Sequence, residues 1–264
     1  MPDFTAKDVQ ALRQASGAGM LDAKKALEAS GGNMEDAAKW LRVQGLGSAE
    51  KRAGREATQG AVAVAKDGNA AVIVELKSET DFVAKSDEFV SLADELALLV
   101  ATKGEAALSE RQDEVDRFRA TLKENISVGE VVRIEAEADG VVDTYLHLQA
   151  GRGVNAVIVA IKGGDEALAH DIAAHIAFTR PEYITRDEVP AAEVDAERAT
   201  VEEIARNEGK PDAALPKIIE GRLNGWYKNR VLVDQAYIRD EKQTIAKLLG
   251  PAVVTRFAQV VIGD

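Results

Sequence analysis

The chain has 264 residues, with 33 Lys plus Arg against 45 Asp plus Glu, a formal charge of −12, and no Cys. That balance excludes disulfides, thiolate metal sites and a cysteine nucleophile, and it sets the molecule against phosphate backbones, so nucleic acid is not an expected direct partner. The opening MPDFTAKDVQ has no basic-then-apolar leader and no apolar run approaches a bilayer span, so a cytoplasmic protein with no membrane partner is expected.

Length predicts one to two domains. A compact fold of 28.2 kDa would leave about 11,000 Å² accessible. Three short helices come first. Thr5 and Asp8 form a capping-box-like start with Val9 and Leu12 on one face, and Ser16-Gly17-Ala18-Gly19 stops that helix. Leu21 to Ala29 reads as a second, amphipathic helix through Leu21, Lys24, Lys25 and Leu27. Ser30-Gly31-Gly32-Asn33 ends it, and Met34 to Val43 forms a third helix with Met34, Ala37, Ala38 and Leu41 inward. Residues 1–46 are thus a three-helix docking module. Residues 47–60 are Gly-interrupted, charged and without an apolar face, which reads as a linker, part of it helical.

The two halves of the remaining chain, residues 61–139 and 140–264, share a repeated run. Ala71-Val72-Ile73-Val74-Glu75-Leu76-Lys77 and Ala156-Val157-Ile158-Val159-Ala160-Ile161-Lys162 match at five of seven positions, 85 residues apart. Each is preceded by a strand-like stretch across a Gly-containing turn, Ala61–Ala65 or Val141–Leu148. Each leads to an Ala-rich amphipathic helix, Phe89–Thr102 or Ala167–Thr179. A duplicated hairpin-plus-helix unit follows, and the fold class is α+β. Four residues, Gly163 to Glu166, join strand to helix in the second copy; Ser78 to Glu88 intervene in the first. A loop extended in only one of two copies is where a scaffold carries function.

From about Pro190 to Trp226 the pattern becomes helical. Val194, Val201, Ile204 and Ala205 form one stripe, and Leu215, Ile218, Ile219, Leu223 and Trp226 form another after Gly209-Lys210-Pro211. This is an antiparallel helical hairpin of about two heptads per arm, too short for a firm coiled coil. Strand-like composition returns at Val231–Ile238 and Val253–Ile262, so the hairpin is inserted into the second half.

Few residues nominate chemistry. Gly151-Arg152-Gly153-Val154-Asn155-Ala156 fits a dinucleotide pattern, but a strand run follows it where a helix is required, so it reads as a hairpin turn. His170 and His175 are five residues apart, roughly 140° around a helix, and do not share a face. Asp171 and His175 do, as an i, i+4 pair, though a surface or interface histidine accounts for them more simply than catalysis. No nucleophile elbow, phosphate loop or metal-ligand cluster appears, so nothing argues for an enzyme. Thr80-Asp81-Phe82-Val83 has two readings. Either Thr80 or Ser86 caps the following helix and Phe82 staples onto it, or Phe82 is an exposed aromatic wedge beside an acid.

Several of these stretches together resemble the elongation factor Ts family of bacterial translation. Ala11 through Leu27, LRQASGAGMLDAKKAL at its centre, is similar to the family's amino-terminal signature. Thr80-Asp81-Phe82-Val83-Ala84 is similar to a second. His175-Ile176-Ala177 before Pro181-Glu182-Tyr183-Ile184 resembles a third, and Gly209-Lys210-Pro211 with Glu220-Gly221-Arg222 resembles the family's coiled-coil segment.

The resemblance implies a ubiquitin-associated-like three-helix domain, a linker, a two-part core and a projecting helical hairpin. It implies a non-enzymatic nucleotide exchange factor without a cofactor of its own, acting on the GDP and Mg²⁺ held by elongation factor Tu. Arg13, Met20 and Leu21 would dock on the partner's nucleotide domain. Thr80, Asp81, Phe82 and Val83 would enter beside its nucleotide site and dislodge Mg²⁺, and His175 would help hold that insertion. Two departures are expected to matter. The sequence ends at Gly263-Asp264 without the C-terminal helical module of some members, and Asp171 stands where some relatives have a histidine. A rival reading is an acidic adaptor that binds partners without any nucleotide effect; another is an enzyme using His175 with Asp171.

Overall fold

The computed structural model describes residues 4–50 and 54–263, residues 45–50 by their backbone alone. It opens with helices α1 (Ala6–Ser16), α2 (Met20–Ala29) and α3 (Met34–Glu50). The expected capping box forms: the Asp8 carboxylate accepts from Thr5 N–H at 2.7 Å and Thr5 Oγ accepts from Asp8 N–H at 3.4 Å. Gly17 ends α1 at a φ of 68°, a conformation that favours glycine. Val9, Leu12, Ala23, Ala26, Leu27 and Ala37 make a small separate core, with Phe4, Met34, Trp40 and Leu41 packed on it.

Two sequence expectations need correction here. Ala38 is exposed, because the inward stripe of α3 passes through Ala37, Trp40 and Leu41. And α3 does not end at Val43 but runs on to Glu50, into the stretch expected to be linker. Gly45 and Gly47 each cost that helix about 1 kcal/mol relative to alanine, not enough to end it. Residues 51–53 of the expected linker lie outside the described residues.

The core is one β-β-α-β plan used twice. Strands β1 (Gln59–Asp67) and β2 (Ala70–Ser78) form a tight antiparallel hairpin. The one-turn helix α4 (Asp81–Ala84) follows, then α5 (Asp87–Lys103), a 3-10 stretch and α6 (Gln112–Leu122). Strand β3 (Ser127–Glu135) then returns antiparallel to the free edge of β2. In the second half β4 (Gly140–Gln149) pairs with β5 (Arg152–Lys162), and α7 (Glu166–Thr179) crosses them. After the inserted hairpin, α8 (Ala191–Asn207) and α9 (Leu215–Arg230), come the short strands β6 (Ala236–Tyr237) and β7 (Asp240–Thr244) and helix α10 (Ile245–Leu249). Strand β8 (Val253–Val261) closes on β5 as β3 closes on β2. The duplication therefore includes a third strand.

The repeated runs are the central strands, buried on both faces, which is why they read as continuous apolar sequence. In β2, Val72, Val74 and Leu76 meet the stripe of α5 made by Phe89, Leu92, Ala93, Leu96 and Val100. Ala71 and Ile73 face the other sheet. In β5, Val157, Val159 and Ile161 meet Ile172, Ala173 and Ile176 of α7, while Ala156, Ile158 and Ala160 face inward. The order is helix, sheet, sheet, helix, with the inter-sheet core between Ile73 and Ile158 layers.

The dinucleotide-like pattern is a hairpin turn, as expected: Ala150 and Gly151 take φ of 51° and 82°, and Arg152 begins a strand. The helical hairpin runs to Arg230 rather than Trp226. Its own small core holds Val201, Ala205, Leu215, Ile219 and Leu223. Ile204 is exposed, and Tyr227 takes the inward place expected of Trp226, whose ring receives the Arg230 guanidinium at 4.8 Å. Val231–Ile238 is not one strand. Val231 and Leu232 are fully buried and tie to Tyr183, with Leu232 N–H donating to Tyr183 O at 2.9 Å, so this apolar run plugs the base of the hairpin. The accessible surface is 14,502 Å², well above the compact expectation, because the three-helix module and the hairpin keep separate small cores.

Candidate functional site

The extended loop of the first half ends on a single helical turn. Thr80 is its N-cap, extended at φ −119°, with its hydroxyl accepting from Val83 N–H at 3.4 Å. Val83 and Ala84 turn inward onto the α5 core. Four residues make barely one turn, so if Val83 and Ala84 face in, Asp81 and Phe82 face out. Phe82 is 86% exposed. The staple reading of Phe82 is thereby overturned, while the capping half of that reading stands for Thr80. Ser86 occupies the N-cap position of α5 without a side-chain cap bond.

Asp81 pairs with Lys85 one turn on, Oδ2 to Nζ at 2.5 Å. That hydrogen bond holds its carboxyl below the usual carboxylate range, with the charges of Lys85 and Arg152 adding to it. Phe82 lines an open cleft of about 520 Å³ together with Gln59, Thr80, Asp81, Lys85 and Arg152. Arg152 is the buried wall of this cleft. Its guanidinium donates to the carbonyl oxygen of Gly60 and, at 3.1 Å, to Gln59 Oε1.

The loop is also held from behind. The Glu124 carboxylate, just past the end of α6, accepts from Glu79 N–H at 3.1 Å, from Thr80 N–H at 3.0 Å and from the Thr80 hydroxyl. Sequence reasoning missed both α6 and Glu124. Val115, Phe118 and Leu122, spaced three and four apart, carry the helix signal; nothing in the sequence ties Glu124 to a loop 44 residues away.

The remaining expected residues fall in two places. Arg13 sits exposed in the last turn of α1, and Met20 and Leu21 begin α2 at 51% and 73% exposure. They share the corner between these helices and are free of the module's core. The module rests on α6 through Lys123 Nζ to Asp22 Oδ2 at 2.6 Å and Arg42 Nη2 to Asp113 Oδ1 at 3.1 Å.

His175 is different: it is completely buried. Its Nε2 lies 2.8 Å from Gln235 Oε1, an oxygen that also accepts from the Thr179 hydroxyl, so Nε2 carries the proton. Its Nδ1 finds no partner among the described residues. Burial pushes its pKa down. The expected surface or interface histidine is thus an interior one, fastening α7 to the chain below the hairpin. It does not meet Asp171, which pairs with Arg239 at 2.7 Å, while His170 pairs with Asp143 at 2.9 Å. The two residues of the enzyme reading are not brought together. Among the described residues no cluster of three or more His, Asp or Glu is placed to hold a metal, and no helix is long and apolar enough to cross a membrane.

What the fold and site define is an α+β protein with exposed apolar side chains at Phe82 on the loop and at Met20 and Leu21 at the start of α2, among others elsewhere on the surface. The sequence model of the family described as Elongation factor TS matches residues 79–264. The chain is 42% identical over 281 residues to Elongation factor Ts of Arthrobacter sp. (strain FB24), covering 100% of each. It is 43% identical over 277 residues to that of Paenarthrobacter aurescens (strain TC1), covering 97% of this chain and 99% of the relative. It is 42% identical over 281 residues to that of Micrococcus luteus, again over 100% of each. The chain belongs to the elongation factor Ts family and is a translation elongation factor.

Proposed function

We propose that this protein is the nucleotide exchange factor of elongation factor Tu, binding its GDP-bound form and promoting GDP release so that GTP can rebind. The observation that carries the proposal is Phe82: a large apolar side chain, 86% exposed, on a turn whose backbone is anchored from two sides. An anchored turn has the ordering entropy of its backbone largely settled before a partner arrives. Asp81 beside it brings a carboxylate that is ionised at neutral pH. Of the four expected residues, Asp81 and Phe82 would enter the partner's nucleotide site and disturb the Mg²⁺ that neutralises the phosphates, weakening GDP retention without breaking a bond, while Thr80 and Val83, turned to the protein's own structure, would hold the turn. Arg13, Met20 and Leu21 would hold the partner's nucleotide domain. His175, being interior, would act by fixing α7 rather than by touching the partner.

The coupling is reciprocal: a factor that loosens GDP is loosened by GDP to the same degree. The protein needs no cofactor of its own on this reading. It works in the cytoplasm, on a protein partner, without nucleic acid or membrane. Stopped-flow release of fluorescent GDP from elongation factor Tu is the test. Acceleration by the protein is the expected result, and unchanged release would sink the proposal; tight binding with unchanged release would identify the acidic adaptor instead. Calorimetry should find no micromolar binding of GDP or Mg²⁺ to the protein alone.

A further inference from the structure

We infer that Glu124 is a positioning residue for the Phe82 turn, a role that rests on the exchange reading above and deepens it. Lys123, the cap that follows α6, turns the chain sharply at a φ of 59°, and the next two residues bond to the loop. The contact is reciprocal. The Glu124 carboxylate takes the backbone N–H groups of Glu79 and Thr80 at 3.1 and 3.0 Å, while the Glu79 carboxylate takes Asn125 N–H at 2.7 Å. Glu124 thus holds the backbone of Glu79 and Thr80, and Glu79 holds the backbone of Asn125, across the junction between the α6–β3 corner and the loop. The side chain of Asn125, itself buried, donates to Arg55 O at 2.7 Å and ties the incoming chain to the same point.

The third bond to Glu124 decides the function. The Thr80 hydroxyl donates its only proton to the Glu124 carboxylate. Its lone pair is then aimed at Val83 N–H, 3.4 Å away, which is the cap of the turn that carries Phe82. A four-residue helix has no stability of its own, since nucleation costs more than one turn returns. Its conformation rests on the packing of Val83 and Ala84 and on the cap, and the cap's orientation is set by a carboxylate 44 residues away in sequence. Glu124 acts through Thr80 on Phe82 and need touch no partner. The adjoining Lys123 pairs with Asp22 of the three-helix module at 2.6 Å, so the corner that orders the loop also seats that module.

Glu124→Gln keeps the shape but replaces one acceptor oxygen by an N–H₂ that opposes the donors it faces. Hydrogen exchange read by NMR at Glu79, Thr80 and Val83 tests the clamp without any partner. The expected result is faster exchange at these three amides with the core amides of β2 unchanged; equal protection in both proteins would overturn the inference. GDP release from elongation factor Tu tests its consequence. The maximal rate at saturating protein should fall about tenfold, the size expected for losing one charge-assisted hydrogen bond, with the half-saturating concentration little changed. Because Glu124 works through the turn that carries Asp81 and Phe82, adding Glu124→Gln to the Asp81→Ala, Phe82→Ala double variant should slow release no further. Additive slowing would show an independent role and overturn the inference. If the wild-type protein does not accelerate release, the exchange reading fails while the amide measurement still decides the clamp. Should Glu124→Gln not fold, Glu79→Gln breaks the other arm and should move the same amides and the same rate.

Discussion

Arg152, the first residue of β5, donates to the carbonyl oxygen of Gly60 on β1, so one side chain of the second half fastens the leading strand of the first. It is a buried cation, 8% exposed, and burial draws its pKa down, with Asp81 opposing that. Its second bond is to Gln59 Oε1, and both residues line the cleft that Phe82 also lines. Arg152→Met keeps most of the stem and removes both bonds. It should cost about 1.5–3 kcal/mol, the range for hydrogen bonds from a charged donor. Urea unfolding would measure it, and a change below a few tenths would show that these two bonds contribute nothing to holding the halves together.

Phe82→Ala should separate docking from exchange. Docking would be spread over the three-helix module and the core surface, so the complex should still form. Burying a phenylalanine in the partner is worth about 1.5–3 kcal/mol, so GDP release should slow by about ten- to a hundredfold. Asp81→Ala should act in the same direction. With its ring 86% exposed, Phe82 gives the free protein almost no packing, so the melting temperature should stay where it is. A lowered melting temperature with unchanged release would restore the staple reading.

Much of this was legible in the chain because the physics behind it is local or repeated. The Thr5–Asp8 capping box, the Gly17 stop and the two central strands each leave a pattern within a few residues. The duplicated run predicted the two hairpins, but not β3, whose Val128, Val131 and Val132 are only partly buried at a sheet edge. The exposed loop was legible as an asymmetry between copies; the direction of Phe82 was not, because stapling and exposure use the same residues. His175 misled for a related reason. An i, i+4 spacing to Asp171 permits a pair, yet Gln235, 60 positions on, offers a buried acceptor and Arg239 takes the acid. Contacts of that separation have no signature in a single sequence.

The helical hairpin can be cut away at a definable place. Its core residues Val201, Ala205, Leu215, Ile219 and Leu223 pack among themselves. At its base Glu193 meets Arg230 at 3.3 Å, so the two ends are close enough for a short Gly-Ser bridge. Replacing residues 194–229 in this way should leave cooperative unfolding of the core intact. Extending the deletion through Val231 and Leu232, both fully buried, should abolish it, because Leu232 belongs to the α7 core. Aggregation of the shorter deletion would show that the hairpin is part of the core after all.

His175 should make stability fall on the acid side of neutrality. Its folded pKa lies below the ordinary value of 6.5 because burial disfavours the charged ring. In the unfolded chain the same ring titrates near 6.5. As pH drops below that value the unfolded state binds a proton that the folded state refuses, so unfolding becomes easier with each step down, by at most about 1.4 kcal/mol per pH unit. The penalty levels off only once pH passes the folded pKa. The geometry gives the reason for refusal: Nε2–H is already committed to Gln235, and a second proton would sit on Nδ1, which finds no acceptor among the described residues. Carboxylates contribute their own slope at lower pH, so the informative window is the interval just below 6.5, where ordinary acids stay ionised. His175→Gln retains a donor for Gln235 and cannot titrate. Its urea midpoint at pH 5.5 relative to pH 7.5 should fall less than that of the wild-type protein, and an equal fall in both would remove His175 as the source.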